Sequence, residues 1–186
     1  MIKTNKAKEG MMESLRNLET MVASWYKGMP HLPKNGRLWL AENVWWLVLV
    51  GVILGSLGIV SVLLGALLAG TLMAGYGGPV GAALGGLAFV IIAISLAFGI
   101  VDMVLSAMAI TPLKAMRKKG WSLLFLVALI NVLSLLVSFL FQLNLFSLIW
   151  GLIFAGVGGY FLFEVRDHFV AERPAKKAAA NKPKEA

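Results

Sequence analysis

The chain has 186 residues, of which 59% are hydrophobic and 14% are charged, and it carries a formal net charge of +8. Soluble domains have about 45–50% apolar and about 25% charged residues, so this composition excludes a soluble enzyme, a disulfide-stapled secreted domain and a disordered chain. Because the chain has no cysteine, it has no thiolate metal site and no thiol nucleophile.

The first predicted element is an amphipathic helix over residues 10–27. Its apolar residues recur at offsets of 0, 4, 7, 11 and 14, which is the spacing of one helical face. They are Met11, Leu15, Leu18, Val22 and Trp25. Polar and charged residues cover the rest of the helix, so it is too polar to span a membrane. We expect it to lie on the membrane surface or to pack on the chain's own helices, and docking of a dedicated partner is the alternative.

Four apolar runs follow, each long enough to cross a bilayer as a helix, which needs about 20 residues. The predicted helices cover about residues 44–71, 79–110, 121–141 and 143–165. Pro79 fits the first turn of the second helix, and Pro112 is expected to end that helix. The predicted fold class is therefore all-α: a polytopic membrane protein with four transmembrane helices in a bundle and an N-terminal cytoplasmic amphipathic helix.

Basic residues indicate the orientation of these helices. Of the 17 Lys and Arg residues, seven precede the first span, four lie at 114–119 and six follow residue 164. By the positive-inside rule, both termini and the middle loop are cytoplasmic, which predicts a multi-pass protein of the inner (plasma) membrane. Residues 1–43 then form a cytoplasmic and juxtamembrane segment, residues 44–166 the membrane domain and residues 167–186 a disordered basic tail.

Small residues recur at helical spacing in three of the spans, with GxxxG at two places. They are Gly51, Gly55, Gly58 and Gly65 in the first span, Gly81 and Gly85 in the second, and Gly151, Ala155 and Gly159 in the fourth. Such a pattern predicts helix packing, because small residues let two backbones approach closely. We favour packing within the chain's own bundle, and a homo-oligomer or a membrane-protein partner is the alternative.

Apart from Glu164 at the very end of the fourth span, Asp102 is the single charged residue within the predicted spans. Asn131, on the following antiparallel helix, is predicted at nearly the same depth. Serines extend these two positions into a polar seam between the second and third spans: Ser95 and Ser106 beside Asp102, and Ser134 and Ser138 beside Asn131. We favour interhelical hydrogen bonding as the role of the seam; the alternative is a proton- or cation-binding site.

The basic loop between the second and third spans is expected at the anionic inner leaflet. It contains Lys114, Arg117, Lys118 and Lys119, which suit contact with lipid headgroups, although anchoring of the topology also explains them. Nucleic acid is not an expected partner, because the basic residues are dispersed beside the membrane without stacking aromatics in the tail.

Sequence signatures of enzymes do not occur. The chain has no phosphate-binding loop, no HExxH and no GxSxG. We therefore expect no catalytic residues, no metal, no cofactor and no enzymatic activity.

The segment that begins at Pro112 resembles small four-span membrane proteins of bacteria whose role is uncharacterised. The resemblance covers the second to fourth spans and rests on the basic loop, Trp121 and the leucine-rich runs. It implies a four-span membrane fold and assigns no functional residue.

The four spans, the spacing of their small residues and the amphipathic helix together predict a non-enzymatic membrane scaffold or accessory subunit. It would act through helix packing and its amphipathic helix. The alternative is a small proton- or cation-coupled transporter or channel that uses Asp102 and the Ser/Asn seam.

Overall fold

A computed structural model describes the chain from residue 2 to residue 169, with the side chains of 2–9, 11, 12 and 74 left out of the description. Most residues in this part of the chain are helical. Its five α-helices are α1 (Ile2–Tyr26), α2 (Lys34–Tyr76), α3 (Gly78–Lys114), α4 (Lys118–Gln142) and α5 (Leu145–Glu164), followed by a 3-10 turn at Arg166–His168. Helices α2 to α5 are long and apolar enough to cross a membrane. Most of the predicted basic tail lies outside the described residues.

Several helix boundaries differ from the sequence prediction. Helix α1 begins at Ile2 and not at residue 10, and α2 ends at Tyr76 and not near residue 71. Helix α2 begins at Lys34, directly after Pro33, and not at residue 44. Polar residues can continue a helix beyond the hydrocarbon layer, so the polar segment before residue 44 does not end α2. Pro33 restricts the backbone directly before Lys34, which favours the start of the helix there. Helix α3 continues through Pro112 to Lys114, so the expectation that Pro112 ends it was wrong. A proline lacks the N–H that would bond to the carbonyl four residues earlier, here Met108, but this loss does not prevent the two following residues from keeping the helical conformation up to Lys114.

The two helical hairpins have unequal lengths. Helices α2 and α3 have 43 and 37 residues, whereas α4 and α5 have 25 and 20. At about 1.5 Å per residue, these correspond to roughly 64, 55, 38 and 30 Å. Only the α4–α5 hairpin therefore matches the thickness of a bilayer's hydrocarbon core, which is about 30 Å.

The four long helices are arranged in a row. Helix α2 packs on α3, α3 on α4 and α4 on α5, and within the described chain no comparable packing joins α2 to α5. The closed packing expected of a four-helix bundle is thus not confirmed. The α2–α3 hairpin projects beyond the α4–α5 hairpin at the end opposite the buried core.

The buried core lies at one end of the row, which we call the closed end. It consists of Ala41, Ala109, Leu113, Trp121, Phe125, Leu162, Val165 and Phe169. Trp121 at its centre is fully buried, stacks on Phe125 with 5.6 Å between ring centroids, and donates its indole N–H to the Leu162 carbonyl at 2.8 Å. An indole buried in this way needs a hydrogen-bond acceptor, and Leu162 supplies one from the last turn of α5.

Candidate functional site

A groove with a volume of about 750 Å³ lies between α2, α4 and α5. Its walls are apolar, and Asn131 on α4 is the one lining residue with a polar side chain. On α2 it is lined by Leu40, Val44 and Leu47, and on α5 its wall includes small residues. These are Gly151, Ala155, Gly158 and Gly159. The groove is open because no extensive packing joins α2 to α5 in the described chain.

The glycine face of α2 continues the α2 wall of this groove. At about 3.6 residues per turn, Gly51, Gly55 and Gly58 lie on the same side of the helix as Leu40 and Leu47. At these glycines, and also at Gly65, an added Cβ would have no described atom within 4 Å apart from its immediate chain neighbours and its own helix backbone. The packing role that we predicted for them is therefore not filled by a contact within the described chain.

The predicted small residues elsewhere have close neighbours. At the α2–α3 turn, Gly81 lies against the carbonyl of Met73, and Gly85 lies 3.9 Å from the Met73 side chain as measured from an ideal Cβ. On α5, Gly151 lies against the side chain of Leu135 on α4. A methyl group at Gly81 would overlap the Met73 backbone, so this position needs glycine for close approach, whereas at Gly151 it would require the Leu135 side chain to shift.

The predicted pairing between α3 and α4 is present at the floor of the groove. The side-chain amide of Asn131 donates to the Asp102 carboxylate at 2.7 Å. Asn131 lines the groove and Asp102 lies behind it, half-buried. The pair therefore crosslinks two helices and also places one amide group at the surface of an otherwise apolar groove.

The serines of the predicted seam each have different surroundings from this pair. The Ser95 hydroxyl donates to the Ile91 carbonyl of its own helix, and Ser106 is buried on α3. Ser134 is half-buried on α4, and Ser138 lines a small cavity with Asn144 and other residues near the start of α5. The polar contact between α3 and α4 is thus centred on Asp102 and Asn131.

A second cluster, which we call the Glu164 clip, joins α5 to the segment before α2. The Glu164 carboxylate is 5% exposed and accepts hydrogen bonds from His31 Nδ1 at 2.6 Å and from the Leu32 backbone N–H at 3.1 Å. Arg37 Nε, on the first turn of α2, lies 3.7 Å from the same carboxylate. The clip therefore holds the start of α2 beside the end of α5, at the closed end of the groove.

A second ionic contact holds α1 at the same end. Glu19 on α1 is bound by Arg166 at 2.5 Å and lies 3.9 Å from Lys118 Nζ on α4. The Arg166 guanidinium also lies 5.6 Å from the centre of the Trp121 ring. Sequence reasoning missed both ionic contacts. The available signal was a lone glutamate at the end of an apolar helix, which implies a nearby cation but does not say which one.

Helix α1 packs on α5 with part of its predicted apolar face. Val22 packs against the buried core and Leu15 is half-buried, but Leu18 is 37% and Trp25 is 64% exposed. The Met11 side chain lies outside the described residues. The face towards α5 is therefore rotated relative to the predicted stripe and includes Tyr26.

Tyr26 fixes the end of α1 against α5. Its hydroxyl donates to the Gly156 carbonyl at 3.1 Å and lies beside Gly159, where a methyl group would overlap it. Its ring stacks on Phe163 with 5.4 Å between centroids. Burial raises the pKa of the Tyr26 phenol above its usual value, so the hydroxyl remains a donor at neutral pH. Tyr160 adds a hydrogen bond of 2.6 Å to the Pro30 carbonyl.

The four basic residues of the α3–α4 turn point in two directions. Lys114 Nζ lies 5.0 Å from the centre of the Trp45 ring, and Lys118 lies beside Glu19. Arg117 and Lys119 instead line a separate cavity of about 370 Å³ on the surface of the turn.

Within residues 2–169, the described side chains contain no group of three or more His, Asp or Glu that could hold a metal ion. Comparison with protein-family models, with curated proteins and with solved structures found no significant match to the chain.

Proposed function

We propose that the chain is a non-enzymatic membrane scaffold or accessory subunit that binds a transmembrane helix of another membrane protein in the groove between α2, α4 and α5. The proposal includes a multi-pass arrangement in the inner membrane with both termini cytoplasmic, because all 17 Lys and Arg residues fall on one side of the four spans. The closed end then lies at the cytoplasmic interface.

The observation that carries the proposal is the chemistry of the groove walls. Small residues line the α5 side, and the glycine face of α2 extends the opposite side without any neighbour in the described chain. Transmembrane helices associate where small residues let backbones approach, since lipid provides no hydrophobic drive for association. The Asn131 amide adds a group that can hydrogen-bond across a helix interface.

The amphipathic helix contributes a membrane-surface element in this proposal. Leu18, Met21 and Trp25 are exposed on α1, while Glu19 and Tyr26 hold the helix against the closed end. An exposed face of this composition is suited to the headgroup boundary of a bilayer, where tryptophan is enriched. Helix α1 would thus rest on the inner leaflet beside α5.

A transporter or channel that uses Asp102 is the second candidate, favoured by the contact of its partner Asn131 with the groove. An ion path through the groove would need more polar groups than the single amide that lines it. The apolar lining therefore supports the scaffold over the transporter.

The test uses two single-cysteine variants of this cysteine-free chain in its native membrane. Leu47 lines the groove and Leu49 does not, yet their side chains are 40% and 39% exposed, so Leu47→Cys and Leu49→Cys form a matched pair. Each is treated with a lipid-soluble maleimide, first in membranes and then after purification in detergent. We expect Leu47→Cys to react several-fold more slowly than Leu49→Cys in membranes, and equally fast once the partner has been removed.

Equal rates in membranes would mean that lipid fills the groove, which contradicts a bound helix. A disulfide between two Leu47→Cys copies would replace the heterologous partner by a second copy of the chain. Labelling of Leu47→Cys by a membrane-impermeant reagent would reveal an aqueous path and would favour transport.

A further inference from the structure

The α2–α3 hairpin continues well beyond the end of the α4–α5 hairpin. The hydrogen bond between Asp102 and Asn131 sets the register of the antiparallel helices α3 and α4. At an equal number of residues from this pair, Gln142 at the end of α4 lies level with Ile91 on α3. From that level α3 extends to Gly78, a further length of roughly 20 Å at about 1.5 Å per residue.

The same level can be followed to α2. The Ile59 side chain lies against Gly99 on α3, so Leu67 is level with the end of α4, and α2 extends from there to Tyr76 by roughly 14 Å. We call residues 67–91 the tip. Within the described chain α4 and α5 do not reach it, so at the tip α2 and α3 have only each other as neighbours.

The surface of the tip is apolar. Only Thr71 and Tyr76 have polar side chains there, and the Thr71 hydroxyl donates to the Leu68 carbonyl of its own helix. Gly81 lies against the Met73 carbonyl of α2, whereas several large apolar side chains of α3 are exposed. These are Val80, Leu84, Leu87, Phe89 and Val90. A helix pair with satisfied backbone groups and such a surface is suited to hydrocarbon and not to water.

Tilting does not remove the difference in length between the hairpins. Transmembrane helices tilt by up to about 40°. Because α4 packs on α3, a tilt of the pair shortens both spans along the membrane normal, and at about 40° the tip still extends by roughly 11–15 Å. The α4–α5 hairpin already matches a hydrocarbon layer of about 30 Å, so a layer that also covers the tip is thicker.

We propose that the tip is a binding surface for lipids with long acyl chains, so that the bilayer is thicker beside α2 and α3 than beside α4 and α5. In the orientation proposed above, these lipids lie in the outer leaflet, because the buried core joins the helices at the closed end. Among the described lining residues of the groove none belongs to α3, so α3 faces lipid at the tip whether or not the groove holds a helix. The surface thus rests on the four helices crossing a membrane and not on the occupant of the groove.

The experiment uses the full purified chain in vesicles that contain equal amounts of two phosphatidylcholines, dimyristoleoyl (short) and dierucoyl (long). Leu87→Cys at the tip and Leu145→Cys at the start of α5 form a matched pair, because their side chains are 64% and 63% exposed and the chain has no other cysteine. Each is labelled with bimane, and quenching is measured with either the short or the long lipid brominated. Each value is divided by the quenching found in vesicles of that brominated lipid alone.

We expect the long lipid to quench the label at Leu87→Cys about twofold more strongly than the short lipid, because only the long lipid reaches the level of the tip. At Leu145→Cys we expect the short lipid to quench at least as strongly as the long one, since α5 matches a layer of ordinary thickness. Equal quenching by both lipids at Leu87→Cys would show that the tip selects no lipid and would overturn the proposal.

Two other results would also overturn it. Quenching of Leu87→Cys by iodide, added on both sides of the vesicles, and by neither lipid would place the tip in water. Protection from iodide and from both lipids would mean that a second copy of the chain covers it. If Leu87→Cys does not fold, Val80→Cys at the tip is compared with Leu140→Cys near the end of α4, since their side chains are 70% and 71% exposed. No partner protein is present in these vesicles, so failure here leaves the maleimide test of the groove unaffected.

Discussion

Replacement of Glu164 tests whether the clip holds α2 beside α5. Its carboxylate is 5% exposed and is bound by His31 at 2.6 Å and by the Leu32 amide at 3.1 Å, with Arg37 Nε at 3.7 Å. Removing one partner of a buried ion pair costs about 3–5 kcal/mol, because the remaining charge is left unpaired. Since His31 is 59% exposed, water screens part of this contact. We therefore expect Glu164→Ala to lower the free energy of unfolding by about 3 kcal/mol.

The charge and the hydrogen bonds can be separated with a second variant. Glu164→Gln retains one acceptor oxygen for the Leu32 amide but loses the charge that attracts Arg37, so we expect a loss of about 1.5–2 kcal/mol. Asp167→Ala is the matched control, because Asp167 is an exposed carboxylate three residues further along the chain. We expect the control to unfold like the wild type.

Unfolding is measured in detergent micelles by denaturant titration, and the geometry is measured with spin labels on α2 and α5. Ser61→Cys and Ser147→Cys place the labels on exposed positions of these helices. If the clip sets the spacing, Glu164→Ala should broaden and lengthen the distance distribution between the labels, whereas Asp167→Ala should leave it unchanged. Equal stability of Glu164→Ala and Asp167→Ala, with identical distance distributions, would refute this account of the clip.

Two further predictions concern the same end of the molecule. Gly159→Ala should disrupt the Tyr26 hydroxyl contact and lower stability in detergent. Gly58→Ala, with no neighbour within 4 Å, should leave the free energy of unfolding unchanged or raise it by up to about 1 kcal/mol. A larger loss in Gly58→Ala than in Gly159→Ala would contradict this. Trp121→Phe removes the 2.8 Å hydrogen bond to the buried Leu162 carbonyl, so we expect a loss of about 1–3 kcal/mol by denaturant titration, and an unchanged midpoint would show that the bond contributes nothing.

The sequence was sufficient to predict one tertiary contact between the long apolar helices. Asp102 and Asn131 lie on consecutive antiparallel helices joined by a short turn, so the fixed rise of a helix determines their relative depth. Both are polar side chains in apolar helices, where an unpaired polar group is costly, so a hydrogen bond between them is favoured. The observed bond of 2.7 Å confirms the pairing.

Contacts between distant segments could not be predicted in this way. Glu164 and His31 are 133 residues apart, and their meeting depends on how α1 and the segment after it pass around α5. Helical periodicity predicted an apolar face on α1, whereas Glu19 and Tyr26 make the contacts of this helix with the closed end and Trp25 remains exposed. The side of α1 that faces α5 therefore depends on polar contacts with distant residues, which the apolar periodicity does not encode.

The glycines of α2 also show what periodicity can predict and what it cannot. Periodicity placed Gly51, Gly55 and Gly58 on one side of α2, and that side continues a groove wall. Whether another helix contacts them depends on the spacing of α2 and α5, which no local pattern encodes. The open row of helices is thus the feature that sequence patterns leave undetermined.

The unequal hairpins constrain what a bound helix would look like. Helix α5 is roughly 30 Å long and α2 roughly 64 Å, so a helix in the groove would contact both walls along α5 and only the α2–α3 hairpin beyond it. Residues 43–101 carry no charged side chain, and an apolar surface that projects past the hydrocarbon layer must be covered or tilted into it. A partner helix with an apolar stretch well beyond about 20 residues would cover that surface, whereas a short one would not. We therefore expect shortening of the partner's apolar helix to weaken the complex even when every contact with α5 is kept.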